Sequence, residues 1–377
     1  MLAALLAAAV LQTNLEASID SARMMSDIRK LASFTTRNTN SPTLNEAAEW
    51  LAAQYRAIPG MQVELMKYKV EASARIPEAI EVVQVVATLR GEDDRRIIVG
   101  GHLDSLNLSV DAKTGPAPGA NDDASGTVVA LEVARAMATR KWKHTLVFVG
   151  WTGEEQGLLG SRAMAERAKA DAWKIDAVLS NDTVGSPVNK HGQRNDKQVR
   201  VFSEEVEEHE SRALARFIAW LTKDKPFGVK LVFRRDRFGR GGDHTPFSQN
   251  GFNAVRFVEV HEEYTRQHTP DDLPEFVDAN YVANVAKVNL LVMASLANAA
   301  EPPENVRIDR RQGHDTTVTW RSTPGVSYVV YWRDTASPVW QGSKDVGAAD
   351  RATIEKINKD DHVFAVGAVG GIPVEAR

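Results

Sequence analysis

Between residues 82 and 300, short apolar runs alternate with longer segments of helical periodicity, and this restricts the chain to one broad architecture. VVQVVATLR, RRIIVGG, KHTLVFVGW, IDAVLSND and FNAVRFVEV read as strands. SGTVVALEVARAMA, EQGLLGSRAMAERA, SRALARFIAWLTK and ANYVANVAKVNLLVMASLANAA read as helices. Strands joined through helices build a sheet covered on both faces. The predicted fold class is therefore α/β, a mixed, mainly parallel sheet sandwiched by helices. In such sheets a functional site lies beyond the carboxyl ends of the strands. Residues 15–57 add apolar spacing of helical type, broken by the loop FTTRNTNSPT.

The pattern changes at AEPPE, residues 300–304, where a proline pair makes a stiff linker. Beyond it TTVTW, VSYVVYW, RATIEKI and HVFAVGAV are short, β-branched and aromatic, and turn residues separate them. They predict a small all-β sandwich over 301–377. The expected organisation is a segment 1–14, a main domain 15–300 and this C-terminal sandwich.

Composition excludes several function classes. There is no cysteine, so disulfides and thiolate metal sites are ruled out, and any transition metal must be held by His and carboxylates. The net charge is -4 and no Lys/Arg block stands out, which argues against nucleic acid as a partner. The opening MLAALLAAAVLQ is too short to span a bilayer as one helix. It matches the apolar core of a secretory signal that lacks the usual preceding basic residues, with a plain first helix as the alternative. An exported protein, not an integral membrane protein, is the expectation.

Polar residues collect where the strands end. His102 and Asp104 follow RRIIVGG, Asp122 and Asp123 precede a helix, and Glu154 and Glu155 follow HTLVFVGW. Asp182 follows IDAVLS, and His268 lies in RQHTPDD beyond the last strand. Singly, each has a bland explanation. Asp123 suits a helix N-cap, Glu155 a first-turn acid, and a loop histidine usually sits at the surface. Jointly, so many carboxylates at one sheet edge are electrostatically costly without cations. With His102, Asp122, Glu155, Asp182 and His268 as ligands, three carboxylates supply about -3 and two zinc ions +4, and one bound hydroxide brings the total near zero. Asp104, two residues beyond His102 on a strand, shares its face and is expected to accept the second imidazole N–H. Glu154 and Glu155 point differently where the strand turns, so one can ligate while the other stays free as a base.

The ordered motifs GGHLDS, PGANDDASG, WTGEEQGLLGS, SNDTVGSP, GGDHTPF and QHTPDD resemble the M28 family of zinc peptidases, of the bacterial aminopeptidase type. They span about residues 95 to 275. The resemblance implies that Asp122 bridges two Zn2+ ions, that His102 and Asp182 complete one site, and that Glu155 and His268 complete the other. It also implies Glu154 as general base, and a cis peptide bond after Asp122. The activity implied is release of N-terminal residues from peptide substrates by metal-activated hydroxide. A carboxypeptidase or dipeptidase with the same metals is the alternative, and a binding module that keeps the fold without catalysis stands further off. Related glutaminyl cyclases use one metal, and the intact His102 and Asp182 speak against that.

One departure concerns the residue before the last histidine. Aminopeptidases of this family often carry tyrosine there, and this chain has Gln267. Tyr264 is the expected substitute, and Arg240 in FGRGGDHTPF is a candidate anchor for a substrate terminus. The tail from Pro302 resembles a fibronectin type III module.

Overall fold

A computed structural model describes residues 15–108, 114–203 and 211–377. The expected signal segment, 1–14, lies outside the described residues. The first helices are α1 (Ser21–Ala32) and α2 (Thr43–Arg56). The side chain of Asp20 caps α1 by accepting from the N–H groups of Ala22 and Arg23. The chain continues through β1 (Met61–Val70), β2 (Ile80–Leu89), β3 (Arg96–His102), α3 (Ser125–Met137), β4 (Thr145–Trp151), α4 (Leu159–Ala170) and β5 (Ile175–Asn181). It then forms β6 (Gln198–Phe202), α5 (Ser211–Thr222), β7 (Gly228–Val232), α6 (His244–Gln249), β8 (Ala254–Glu259) and α7 (Ala279–Leu296).

The strands make one eight-stranded sheet in the order β1-β2-β4-β3-β5-β8-β6-β7. β4, β3, β5 and β8 run parallel at its centre. β1, β2 and the β6–β7 pair join antiparallel to their inner neighbours. This is the mixed, mainly parallel sheet the alternation predicts. Along β3 successive side chains serve opposite layers: Ile97 and Val99 belong to the apolar core under α3 and α7, and Ile98 to the core under α4 and α6. Burial on both faces explains why the central strands read as continuous apolar runs. The edge strand β1 alternates instead, and only Met66 in it is buried.

Close backbone approach fixes α3 against the sheet. A Cβ on Gly101 would lie 2.4 Å from the carbonyl carbon of Gly126, and one on Gly126 would lie 2.2 Å from the Asn181 oxygen. Both positions require glycine, and they bracket the segment that carries Asp122 and Asp123.

Beyond α7 the chain is antiparallel. β9 (Glu304–Ile308), β10 (Thr316–Arg321) and β13 (Arg351–Ile354) form a three-stranded sheet. β12 (Gly342–Gly347), β11 (Tyr328–Asp334), β14 (His362–Ala368) and β15 (Val374–Glu375) form one of four. Val318, Trp320 and Ile354 from the first sheet share a core with Tyr328, Val330 and Phe364 from the second. This region packs on α5, where Trp220 meets Tyr331 edge-on at 5.4 Å. Among the described residues no helix is long and apolar enough to cross a membrane.

Candidate metal centre

One carboxylate organises the ends of the central strands. Asp123 accepts N–H groups from His102 at 3.0 Å, Gly126 at 2.8 Å and Thr183 at 3.2 Å, so it ties the end of β3, the start of α3 and the turn after β5. The capping role expected of it is thus one of three. The Asp122–Asp123 peptide is cis, as the resemblance implied. The backbone N–H groups of Asn121 and Asp122 each donate to Asp272 at 2.9 Å, which binds this turn to the loop carrying His268.

With the turns held so, the five expected ligands converge. His102 Nε2 lies 3.0 Å from Asp122 Oδ1 and 3.7 Å from Asp182 Oδ1. His268 Nε2 lies 3.1 Å from both Asp122 Oδ2 and Glu155 Oε2. Among the described residues three trios have donor atoms within 4.8 Å of one another: His102–Asp122–Asp182, Asp122–Glu155–His268 and His102–Glu154–Glu155. The first two together hold the five expected ligands, and Asp122 belongs to both. His102 Nε2 and Glu155 Oε1 are buried without a well-formed hydrogen bond. Buried polar atoms rarely stay unpaired, and imidazole with carboxylate is a donor set that zinc accepts. The residues fit the metal.

The model for peptidase family M28 matches residues 84–293 of this chain. A probable zinc metalloprotease of Leptosphaeria maculans is 38% identical over 389 residues, covering 91% of this chain and 90% of that protein. The chain belongs to peptidase family M28. It is a zinc metallopeptidase by that membership. Among solved structures, the Legionella pneumophila LapA aminopeptidase shares the fold with a TM-score of 0.62 at 21% identity, over 77% of this chain and 74% of that one. A glutaminyl cyclase of Fimbriiglobus ruber does so with a TM-score of 0.59 at 19% identity, over 72% and 94%.

The electrostatics of this M28 site follow from burial and crowding. Burial disfavours charge on His102, yet the adjacent carboxylates of Asp122 and Asp182 hold its pKa well above the ordinary imidazole range. Burial likewise opposes charge on His268, but Asp122 and Glu155 carry its pKa up to about 11. Asp122 moves the other way. Despite burial, the two imidazoles pull its carboxyl well below the usual range. Burial pushes Glu154 well up, and Asp182 and Glu155 add like-charge repulsion.

Two expected roles change. Asp104 is buried, but its carboxylate sits 3.7 Å from His102 Nδ1, whose nearer partner is the Asp104 backbone oxygen at 3.0 Å. The carboxylate instead accepts the N–H groups of Glu154 at 3.2 Å and Glu155 at 3.1 Å. Asp104 therefore fixes the glutamate turn, because two converging N–H groups are better partners than one off-line imidazole. Tyr264 is directed away from the ligands: its hydroxyl donates to Glu262 at 3.0 Å. Gln267 occupies the place beside the ligands, with Nε2 donating to Asp122 Oδ2 at 2.7 Å. Arg240 Nη1 donates to Gln267 Oε1 at 3.0 Å and lines the cleft.

Sequence reasoning missed Arg256. It lies in the middle of β8, fully buried, with Nη2 2.7 Å from Asp182 and Nη1 2.6 Å from Asp236. Burial alone would lower its pKa, yet the two carboxylates hold it well above its ordinary value. The available signal was a charged residue inside an otherwise apolar strand run, AVRFV, which a buried strand keeps only when it is paired. Asp236 and Asp272 gave no such signal, since acids are ordinary in polar loops.

Proposed function

We propose that this M28 peptidase is an aminopeptidase working with two zinc ions. The observation that carries the reading is that Asp122 is shared by the two trios that together hold His102, Asp182, Glu155 and His268. On this reading His102 and Asp182 complete one site, and Glu155 and His268 the other. Zinc held there supplies Lewis acidity, which lowers the pKa of water toward ~7 and polarises a scissile carbonyl. Glu154 lines the cleft beside the ligands and is the group that takes the water proton and passes it to the departing amine. Asp104 keeps Glu154 and Glu155 in their separate orientations through the N–H bonds described above. The Gln267 carboxamide places an N–H donor at the cleft wall, where it can turn toward a developing oxyanion.

We read the C-terminal sheets, three strands facing four over one core, as a fibronectin type III-like module. Export is part of the same proposal, and sequencing the mature N-terminus tests it.

The deciding experiment joins metal analysis with a panel of aminoacyl anilides and N-blocked peptides, with and without chelator. We expect two zinc ions per chain, cleavage of free-amine substrates, and loss of turnover on chelation. At most one ion per chain in excess zinc refutes the paired site. Cleavage of blocked peptides but not anilides would favour a carboxypeptidase. Glu154→Gln is expected to retain both ions and lose about 10²–10⁴ in kcat.

A further inference from the structure

The charges around the cleft divide into those already matched and those that are not. Asp122, Glu155 and Asp182 face the two imidazoles and are the metal ligands of the proposed centre. Arg256 is matched by Asp182 and Asp236, and Arg237 by Asp236 and Glu262. Two guanidiniums differ. Arg75, on the loop between β1 and β2, donates Nη1 to the backbone oxygen of Glu155 at 3.0 Å. Arg240 donates to the neutral Gln267, which in turn touches Asp122. Among the described residues no carboxylate lies within ion-pairing distance of either one, and both line the cleft.

Each is nevertheless tethered, one to the residue that ligates and the other one side chain from the shared ligand. A tethered guanidinium without a carboxylate is pre-organised for one, because its remaining N–H groups form a planar fork. The cleft, of about 300 Å³, offers little else for a substrate side chain to bind. Leu158 is the only aliphatic side chain among the described residues lining it. Such a wall presents charged and polar side chains where a leucine-type side chain would need an aliphatic pocket.

We propose that this cleft selects peptides bearing a carboxylate next to the scissile bond, received by Arg75 and Arg240. The carboxylate is an Asp or Glu side chain, or the free C-terminus of a dipeptide. This rests on the peptidase reading of the site and adds its substrate class.

The test uses the zinc-loaded full chain and matched pairs: peptides with Glu against Gln on either side of the scissile bond, and dipeptides with free against amidated C-termini. The quantity read is the kcat/KM ratio within each pair. We expect the charged member of at least one pair to lead by about 10-fold or more, the scale of one charge-assisted hydrogen bond. The pair that discriminates identifies the source of the carboxylate. Raised salt should compress the ratio. Arg75→Gln with Arg240→Gln should abolish it, and the corresponding lysine variants should restore part of it, with zinc content confirming that the site is intact. Equal kcat/KM within every pair, or a preference that survives the double glutamine variant, overturns the inference and leaves the peptidase reading standing. Hydrolysis of no peptide at all overturns both.

Discussion

Removing the Arg256 guanidinium should destabilise the metal-free protein far more than the zinc-loaded one. In Arg256→Met the alkyl volume is kept, while Asp182 loses a partner at 2.7 Å and Asp236 one at 2.6 Å. Asp236 retains Arg237 at 3.1 Å, so most of the damage falls on Asp182. Breaking a buried pair by deleting one partner costs about 3–5 kcal/mol, most of it the uncompensated charge. A dication at Asp182 restores that compensation, so the loss should shrink by about 2 kcal/mol in the loaded protein. Closing the thermodynamic cycle, zinc must then bind the variant about 30-fold more tightly. Urea unfolding of both proteins, metal-free and loaded, gives the four stabilities, and a chelator competition gives the affinity independently. An equal loss in the two states would refute the idea that Arg256 and the ion compensate the same carboxylate.

Three further outcomes follow from the site. Imidazoles must be neutral to ligate, and His268, with its pKa raised to about 11, carries a proton that uptake has to expel, as does His102. Zinc binding near pH 7 should therefore release about two protons per chain, read by calorimetry in buffers of different ionisation enthalpy, with affinity rising with pH; no release contradicts the protonated pair. Burial raises the carboxyls of Asp243 and Asp272 to about 7, so the folded state holds protons there that the unfolded chain gives up near 4. Metal-free stability should fall as pH rises from about 4 through 7, and Asp272→Asn should flatten that slope in pH-dependent urea melts. Asp104→Asn keeps one carbonyl acceptor for two N–H groups, and should lower kcat more than it changes zinc content, since the turn it fixes carries Glu154, the proposed base.

The residues that announce themselves in this sequence are those whose surroundings are monotonous. Ile98, Val147, Val178 and Val255 sit in strands buried on both faces, and their apolar runs give the central sheet away. β6 and β7 escape notice because they are five residues long, and Arg200 and Lys230 interrupt their apolar residues. β1 escapes because lysine and glutamate interleave its apolar positions. In the C-terminal region β9 and β12 are polar edge strands of the same kind. The proposed ligands are legible because acids and imidazoles accumulate in the turns beyond the central strands, more than local capping would use. Asp104 was half legible: its position follows from strand geometry, but its partner depended on where the glutamate turn passes overhead. Arg37 shows the limit. It is fully buried and donates to the oxygens of Leu103 and Gly119, a hub for two loops that nothing around it in FTTRNTNSPT foretells.

The glycine contact between β3 and α3 has a wider implication. A methyl group at either position would wedge the helix off the strand by a sizeable fraction of its own width, whereas ligand distances tolerate only about 0.2 Å. The hydrophobic layers could absorb such a displacement, and the chain would still fold. The proposed zinc ligands would then lose their register, so that their spacing is policed by two hydrogens where most proteins carry side chains.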